Sequence, residues 1–141
     1  MKYDIIIFYF LGTLCTRGGL FSDTEPVIKE LLSSGLKLAI LSSSGSEAGE
    51  WMKEWGIDHY FDVLSFARSG APMKPHPEVF LRIARKIEYD PGRVLIVGDS
   101  VYMDIEGARS VGIDAILISR CMREGEEGVI SSLYELIGMM K

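Results

Sequence analysis

Short aliphatic runs alternating with amphipathic stretches constrain this chain more than any other feature. Residues 4–10, 36–41, 93–97 and 114–118 carry Ile, Val or Leu almost throughout, which suits strands buried on both faces of a parallel sheet. A weaker run over 61–66 predicts an edge strand. Residues 26–34, 47–55, 77–87, 105–111 and 129–139 place apolar side chains at helical spacing. SDTEP precedes the first of these and HPE opens the third, with Pro near the first turn, where its missing N–H costs nothing. Repeated strand-helix alternation predicts one doubly wound α/β domain over residues 1–141, with right-handed crossovers and helices on both faces.

Composition narrows the partners. With 48% hydrophobic and 25% charged residues, the chain has the balance of a soluble globule. A net charge of −5 argues against nucleic acid, whose binding rests on clustered Lys and Arg. The opening MKYDIIIFYFLGTLC has the outline of a secretory or lipoprotein signal. Asp4 breaks its charge pattern, Leu14 stands where a small residue is wanted before Cys15, and the run falls well below the roughly 20 residues that span a bilayer. The expectation is a cytoplasmic protein without membrane contact. Cys15 and Cys121 form no ligand cluster and read as free structural thiols. The charged run over 123–127 reads as a solvated loop.

Parallel α/β sheets bind ligands at the carboxyl ends of their strands. Gly12 and Thr13 follow the first run, and Ser42, Ser43 and Ser44 follow the second. Lys74 sits in MKPHPE ahead of the third helix, and Asp99 and Asp104 lie in VGDSVYMDIEGA after the fourth strand, the run over 93–97. Hydroxyls, a lysine and two carboxylates at one edge suit phosphate and a hard cation. Ser42 could equally cap a strand end, with Ser43 and Ser44 forming a turn. His59 and His76 are isolated, and Trp51 and Trp55, four apart, read as core or interface residues.

From residue 3 to about residue 118 the chain resembles the haloacid dehalogenase-like (HAD) superfamily, mostly phosphatases that pass a phosphoryl group to an aspartate. Ser42 matches its second motif, Lys74 in KPHPE its third, and GDSVYMDIEGARSVG its fourth. The last is the most specific of these. The resemblance implies a mostly parallel five-stranded sheet of order 3-2-1-4-5, with phosphate held by Gly12, Thr13, Ser42, Ser43 and Lys74, and magnesium by Asp99 and Asp104.

The first motif departs from the family pattern, in which an apolar strand leads into Asp, any residue, Asp, Gly, Thr, Leu. Gly12, Thr13 and Leu14 keep the frame, but Tyr9 and Leu11 occupy the positions of the two acids. The resemblance makes the first acid the nucleophile and a magnesium ligand, and the second the proton donor and base. A phenol with a pKa near 10 on a bulky ring does not replace the one, and an alkyl side chain does not replace the other. Losing such groups costs about 10⁴- to 10⁶-fold in rate, or about 5 to 8 kcal/mol. No catalytic residue of the family mechanism is therefore expected at positions 9 and 11.

Charge supports the same expectation. Four acids, one lysine and magnesium sum to about −1 in the family pattern, and Asp99, Asp104 and Lys74 alone also sum to about −1. Magnesium binding is accordingly expected to be weak or absent, with Lys74 able to pair with Asp99 in a structural network. Only about twenty residues separate the first motif from the second strand, too few for the lid domain many relatives insert. An uncovered site is wet, which weakens electrostatic catalysis. The chain is expected to be a capless, non-catalytic module for a phosphorylated ligand or protein partner, with a homo-oligomer left open. The alternative is a weak or atypical metal-dependent phosphatase.

Overall fold

A computed structural model describes residues 2–66, 77–120 and 128–140. Strand β1 (Ile5–Tyr9) is buried along its whole length. It lies between β4 (Lys37–Leu41) and β6 (Val94–Gly98), parallel to both, with Phe8 opposite Ile40 and Val97. β5 (Val63–Ser65) extends the sheet beyond β4, and β7 (Asp114–Ile118) extends it beyond β6. A tight hairpin of β2 (Cys15–Thr16) and β3 (Gly19–Leu20) fills the connection out of β1.

The sheet order is β5-β4-β1-β6-β7-β8, so the expected 3-2-1-4-5 order is present and one strand is added at its end. That strand, β8 (Val129–Ile130), pairs parallel with β7. It corrects the reading of residues 129–139 as one helix, because helix α5 spans only Tyr134–Met139. The physical reason lies in the junction. β-branched Val129 and Ile130 suit an extended chain, and Ser119 N–H donates to the Ile130 carbonyl at 2.8 Å. Glu135 then accepts the Ser131 and Ser132 N–H groups at 2.7 and 3.1 Å, which marks the start of a helix after the strand.

Strand alternation sorts β1 between two cores. Ile6 and Phe8, with Phe10 just beyond the strand, face a cluster with Val27, Ile28 and Leu31 of α1 (Thr24–Ser33). The same cluster takes Ala48 and Met52 of α2 (Ser46–Glu54) and Leu136 of α5. Ile5, Ile7 and Tyr9 face the other core, with Phe80, Ile83 and Ile87 of α3 (Pro77–Ile87) and Ala108 of α4 (Gly107–Arg109). Helices therefore cover both faces. Among the described residues, no helix is long and apolar enough to cross a membrane.

Phe10 is 1% exposed and its ring stacks on Trp51 and Trp55 at centroid distances of 6.4 and 6.1 Å. It turns the chain from β1 into the loop while filling the core beneath α2. Phe10→Ala is expected to destabilise by about 3–5 kcal/mol. Denaturant unfolding followed by tryptophan fluorescence measures this, and a loss below 1 kcal/mol would show that Phe10 is not a core anchor.

Candidate functional site

The carboxyl ends of β1, β4 and β6 form one rim, and the loop after β1 is wound tightly there. Phe10 carbonyl accepts the Thr13 and Leu14 N–H groups at 3.2 and 2.9 Å, while Gly12 N–H donates to the Cys15 carbonyl at 2.8 Å. These bonds draw residues 10–15 into a closed turn whose amides serve the turn itself. Gly12 has φ +86, and a Cβ placed on it would lie 2.1 Å from Asp99 Oδ2. Glycine is required twice over, by backbone conformation and by the carboxylate lying over its α-carbon.

The loop after β6 is fixed from inside. Asp104 is 1% exposed, and its Oδ2 accepts the Asp99 and Ser100 N–H groups at 3.1 and 3.0 Å. Ser100 Oγ accepts the Met103 N–H at 3.2 Å and opens a wide turn over Val101–Glu106 with π-helical bonding. Such turns re-aim side chains near sites. Asp99 stands exposed on the rim, whereas Asp104 is spent on the backbone beneath it. A Cβ on Gly98 would meet Tyr9 Cδ2 at 2.4 Å and Asp104 Oδ2 at 2.6 Å. Tyr9, Gly98 and Asp104 are thus packed into one contact.

Tyr9 points into the α3 face, 1% exposed, with its ring edge-on to Phe80 at 6.5 Å between centroids. Burial, and then the Asp104 charge, hold its phenol far above the usual tyrosine range. A phenol that keeps its proton is a poor nucleophile. Leu11 is half-buried against the α1 core. Thr13 is fully buried and its side chain faces the interior. Ser42 is also buried, and its Oγ accepts the Ser44 N–H at 3.0 Å, so it closes the turn in which Ser43 is exposed. Cys15 Sγ lies 3.7 Å from the Phe10 carbonyl, and burial pushes its thiol up to about 12. Lys74, His76, Cys121 and the run over 123–127 lie outside the described residues.

For a cation, the rim presents Asp99 and Asp104. Among the described residues no group of three His, Cys, Asp or Glu side chains is gathered for a metal, and one Asp104 oxygen is already committed to two amides. Magnesium keeps several of its six oxygens as water and takes one or two carboxylates. Of this pair Asp99 is the acid exposed on the rim, and Asp104 is turned to the backbone.

A feature the sequence reading missed lies behind the loop. Asp23, read only as part of a helix start, accepts at Oδ2 from Arg120 Nη1 at 2.6 Å and from Leu133 N–H at 2.9 Å. Arg120 Nη2 donates to the Thr13 carbonyl at 2.5 Å. No local pattern signals it, because the pair is 97 residues apart in sequence.

The sequence profile of haloacid dehalogenase-like hydrolases matches residues 17–118. The chain belongs to this family. The match begins after the turn that holds Tyr9 and Leu11. Over 102 residues the HAD-like chain is 30% identical to glyceraldehyde 3-phosphate phosphatase of Methanopyrus kandleri, an alignment covering 71% of this chain and 43% of that one. The HAD phosphatase structure from Thermococcus onnurineus is 33% identical with a TM-score of 0.78, over 86% of this chain and 58% of the other. A HAD-superfamily hydrolase from Ehrlichia chaffeensis, 15% identical, has the same fold with a TM-score of 0.84 over 99% and 96% of the two chains. The chain spans about half the length of the curated relatives it matches, 43%, 57% and 47% in three cases.

Alkaline pH tests the buried phenol and thiol. Both are acids whose folded values lie above the ordinary 10.0 and 9.0 of a phenol and a thiol, so the folded state holds protons that the unfolded chain releases. Their stabilising effect is complete below pH 9 and is lost as pH rises, for Cys15 between 9.0 and about 12 and for Tyr9 above 10.0. Each group is expected to contribute a loss approaching about 1.4 kcal/mol per pH unit above its unfolded value. Denaturant melts from pH 8 to 11 should show Tyr9→Phe and Cys15→Ala flattening that decline; parallel curves for parent and variants would refute it.

Proposed function

We propose that this HAD-like domain recognises phosphate monoesters at the rim formed by Gly12, Ser43, Asp99 and Ser100, and that it does not work through an aspartyl-phosphate. The carrying observation is the placement of Tyr9. Its ring is sealed between Phe80, Gly98 and Asp104, and its phenol keeps the proton that a nucleophile must lose. Leu11 offers no group to protonate a leaving oxygen. Recognition of a phosphorylated ligand or protein therefore fits positions 9 and 11 better than family catalysis does. Lys74 is the residue the sequence expects to bring positive charge, and Asp104 acts by holding the Asp99–Ser100 backbone. No step is routed through magnesium, because Asp104 Oδ2 is given to backbone amides and Tyr9 and Leu11 supply no carboxylate.

A second reading, slow phosphatase action on small phosphorylated metabolites, is favoured by the relatives, which carry phosphatase names at about 30% identity. The two readings share ligand chemistry and differ in turnover.

An aryl phosphate assay separates them. The parent is expected to show no magnesium-dependent hydrolysis above an Asp99→Ala control, while inorganic phosphate shifts the amide resonances of Gly12, Ser43 and Ser100. Tyr9→Asp with Leu11→Asp returns both acids to a frame that keeps Gly12, Thr13, Ser42, Asp99 and Asp104. The double variant should gain magnesium binding and measurable hydrolysis that neither single variant shows, since attack and proton transfer act as a unit. It should also lose a few kcal/mol of stability without metal, about the cost of an aromatic-to-small core change plus buried charge. Parent turnover well above the Asp99→Ala control would establish the phosphatase reading instead.

A further inference from the structure

Behind the phosphate rim, remote from Tyr9, lies a buried polar tie that the proposed function does not use. Asp23 is 4% exposed and stands at the N-cap of α1, yet its side chain makes no bond to that helix. Asp is a preferred cap, and a forgone cap bond is a stability cost. The carboxylate turns the other way. Its Oδ2 collects Arg120 Nη1 at 2.6 Å, Leu133 N–H at 2.9 Å and Ser132 Oγ at 3.2 Å. The next residue, Thr24, donates through Oγ1 to the Leu14 carbonyl at 2.6 Å.

Arg120 carries that grip to the loop. Its guanidinium lies 4.0 Å over the Phe21 ring, and Nη2 donates to the Thr13 carbonyl at 2.5 Å. Two consecutive carbonyls, Thr13 and Leu14, are therefore each held from behind by a side chain outside the loop. Because a peptide unit is planar, holding the Thr13 carbonyl also orients the Leu14 N–H that closes onto Phe10. The planar fork suits this use, since it presents divergent donors that an ammonium lacks. Asp23 Oδ1 and Arg120 Nε are buried without hydrogen-bond partners. So placed, the pair stabilises less than a fully satisfied one would, which makes a purely structural account of it incomplete.

We propose that Arg120, aimed by Asp23, is a positioning residue that sets the backbone of Gly12–Leu14 and thereby the shape of the phosphate rim. Its effect on phosphate rests on the function proposed above; its hold on the loop does not. The tie also links β7 and the start of α5 to the rim.

Two measurements test it. Arg120→Met with Asp23→Asn removes both charges while keeping bulk and an acceptor for Leu133, so no lone buried charge is left to unfold the chain. Amide exchange of Thr13 and Leu14 is then compared with that of Ile7 and Ile96 in the central strands. The expected result is at least ten-fold faster exchange at Thr13 and Leu14 beyond any change at Ile7 and Ile96, with the inorganic phosphate Kd raised about ten-fold. Equal acceleration at all four positions, or none at Thr13 and Leu14, would reduce the pair to a general stabiliser and overturn the proposal. Arg120→Ala with added ethylguanidinium gives the second measurement: recovery of Thr13 and Leu14 protection supports positioning, and absence of recovery in folded protein opposes it. If parent protein shows no phosphate shift, the functional reading fails while the exchange contrast still decides the role of Arg120. If parent and double variant bind phosphate equally, positioning fails and the functional reading stands.

Discussion

The contact among Tyr9, Gly98 and Asp104 governs what the carboxyl edge of this sheet can be. Gly98 has room for no side chain, because a Cβ there would fall 2.4 Å from the tyrosine ring and 2.6 Å from the carboxylate. The backbone of β6 can run beside β1 only while residue 98 is glycine and Asp104 is turned inward. Turned inward, Asp104 takes the amides of Asp99 and Ser100 and so fixes where Asp99 emerges. A ring in the core of one strand, a missing side chain on the next and a buried carboxylate in the following turn are thus one mechanical unit. Substituting any member moves the others, since interiors packed at crystal density transmit such changes.

That unit explains how a hydrolase scaffold can keep its shape without an acid at residue 9. A buried carboxylate facing Asp104 without a cation would set two like charges together in low dielectric, which is expensive. A tyrosine that stays neutral removes the repulsion and fills the volume against Phe80. Tyrosine at this position therefore stabilises the fold by packing and by staying neutral beside Asp104. Leu11 acts in the same sense by adding apolar contact to the α1 core.

Much of this was legible in the sequence, and the limits are instructive. Runs such as IIIFY and VLIVG suit strands buried on both faces, so the strands followed from local pattern, while their order followed from the family resemblance that the motifs carry. β8 was not legible, because Val129, Ile130 and Leu133 satisfy helical spacing as well as a two-residue strand followed by a turn. Thr13 and Ser42 were legible as small hydroxyl residues at strand ends, but pattern does not say which way a loop side chain faces; both prove to be buried. The Asp23–Arg120 tie had no signal at all, since its meaning arises only when two residues 97 apart in the chain meet.

The hairpin of β2 and β3 completes the physical account of the rim. Where many relatives are expected to insert a lid, the described chain turns back after Thr16, and Gly19 leads it to α1 within a few residues. Arg17, at the tip, lies 5.9 Å from the Trp51 ring centroid, so the hairpin is drawn toward α2 by a contact worth about 0.5–1 kcal/mol at an exposed position. Among the described residues so weak a tether covers little of the rim, and where water reaches it a hydrogen bond to a phosphate oxygen competes with solvent on nearly equal terms. On the proposed reading, phosphate recognition at such a rim rests on a preformed backbone rather than on enclosure, which gives weight to the positions of Gly12, Asp99 and the carbonyls held behind them.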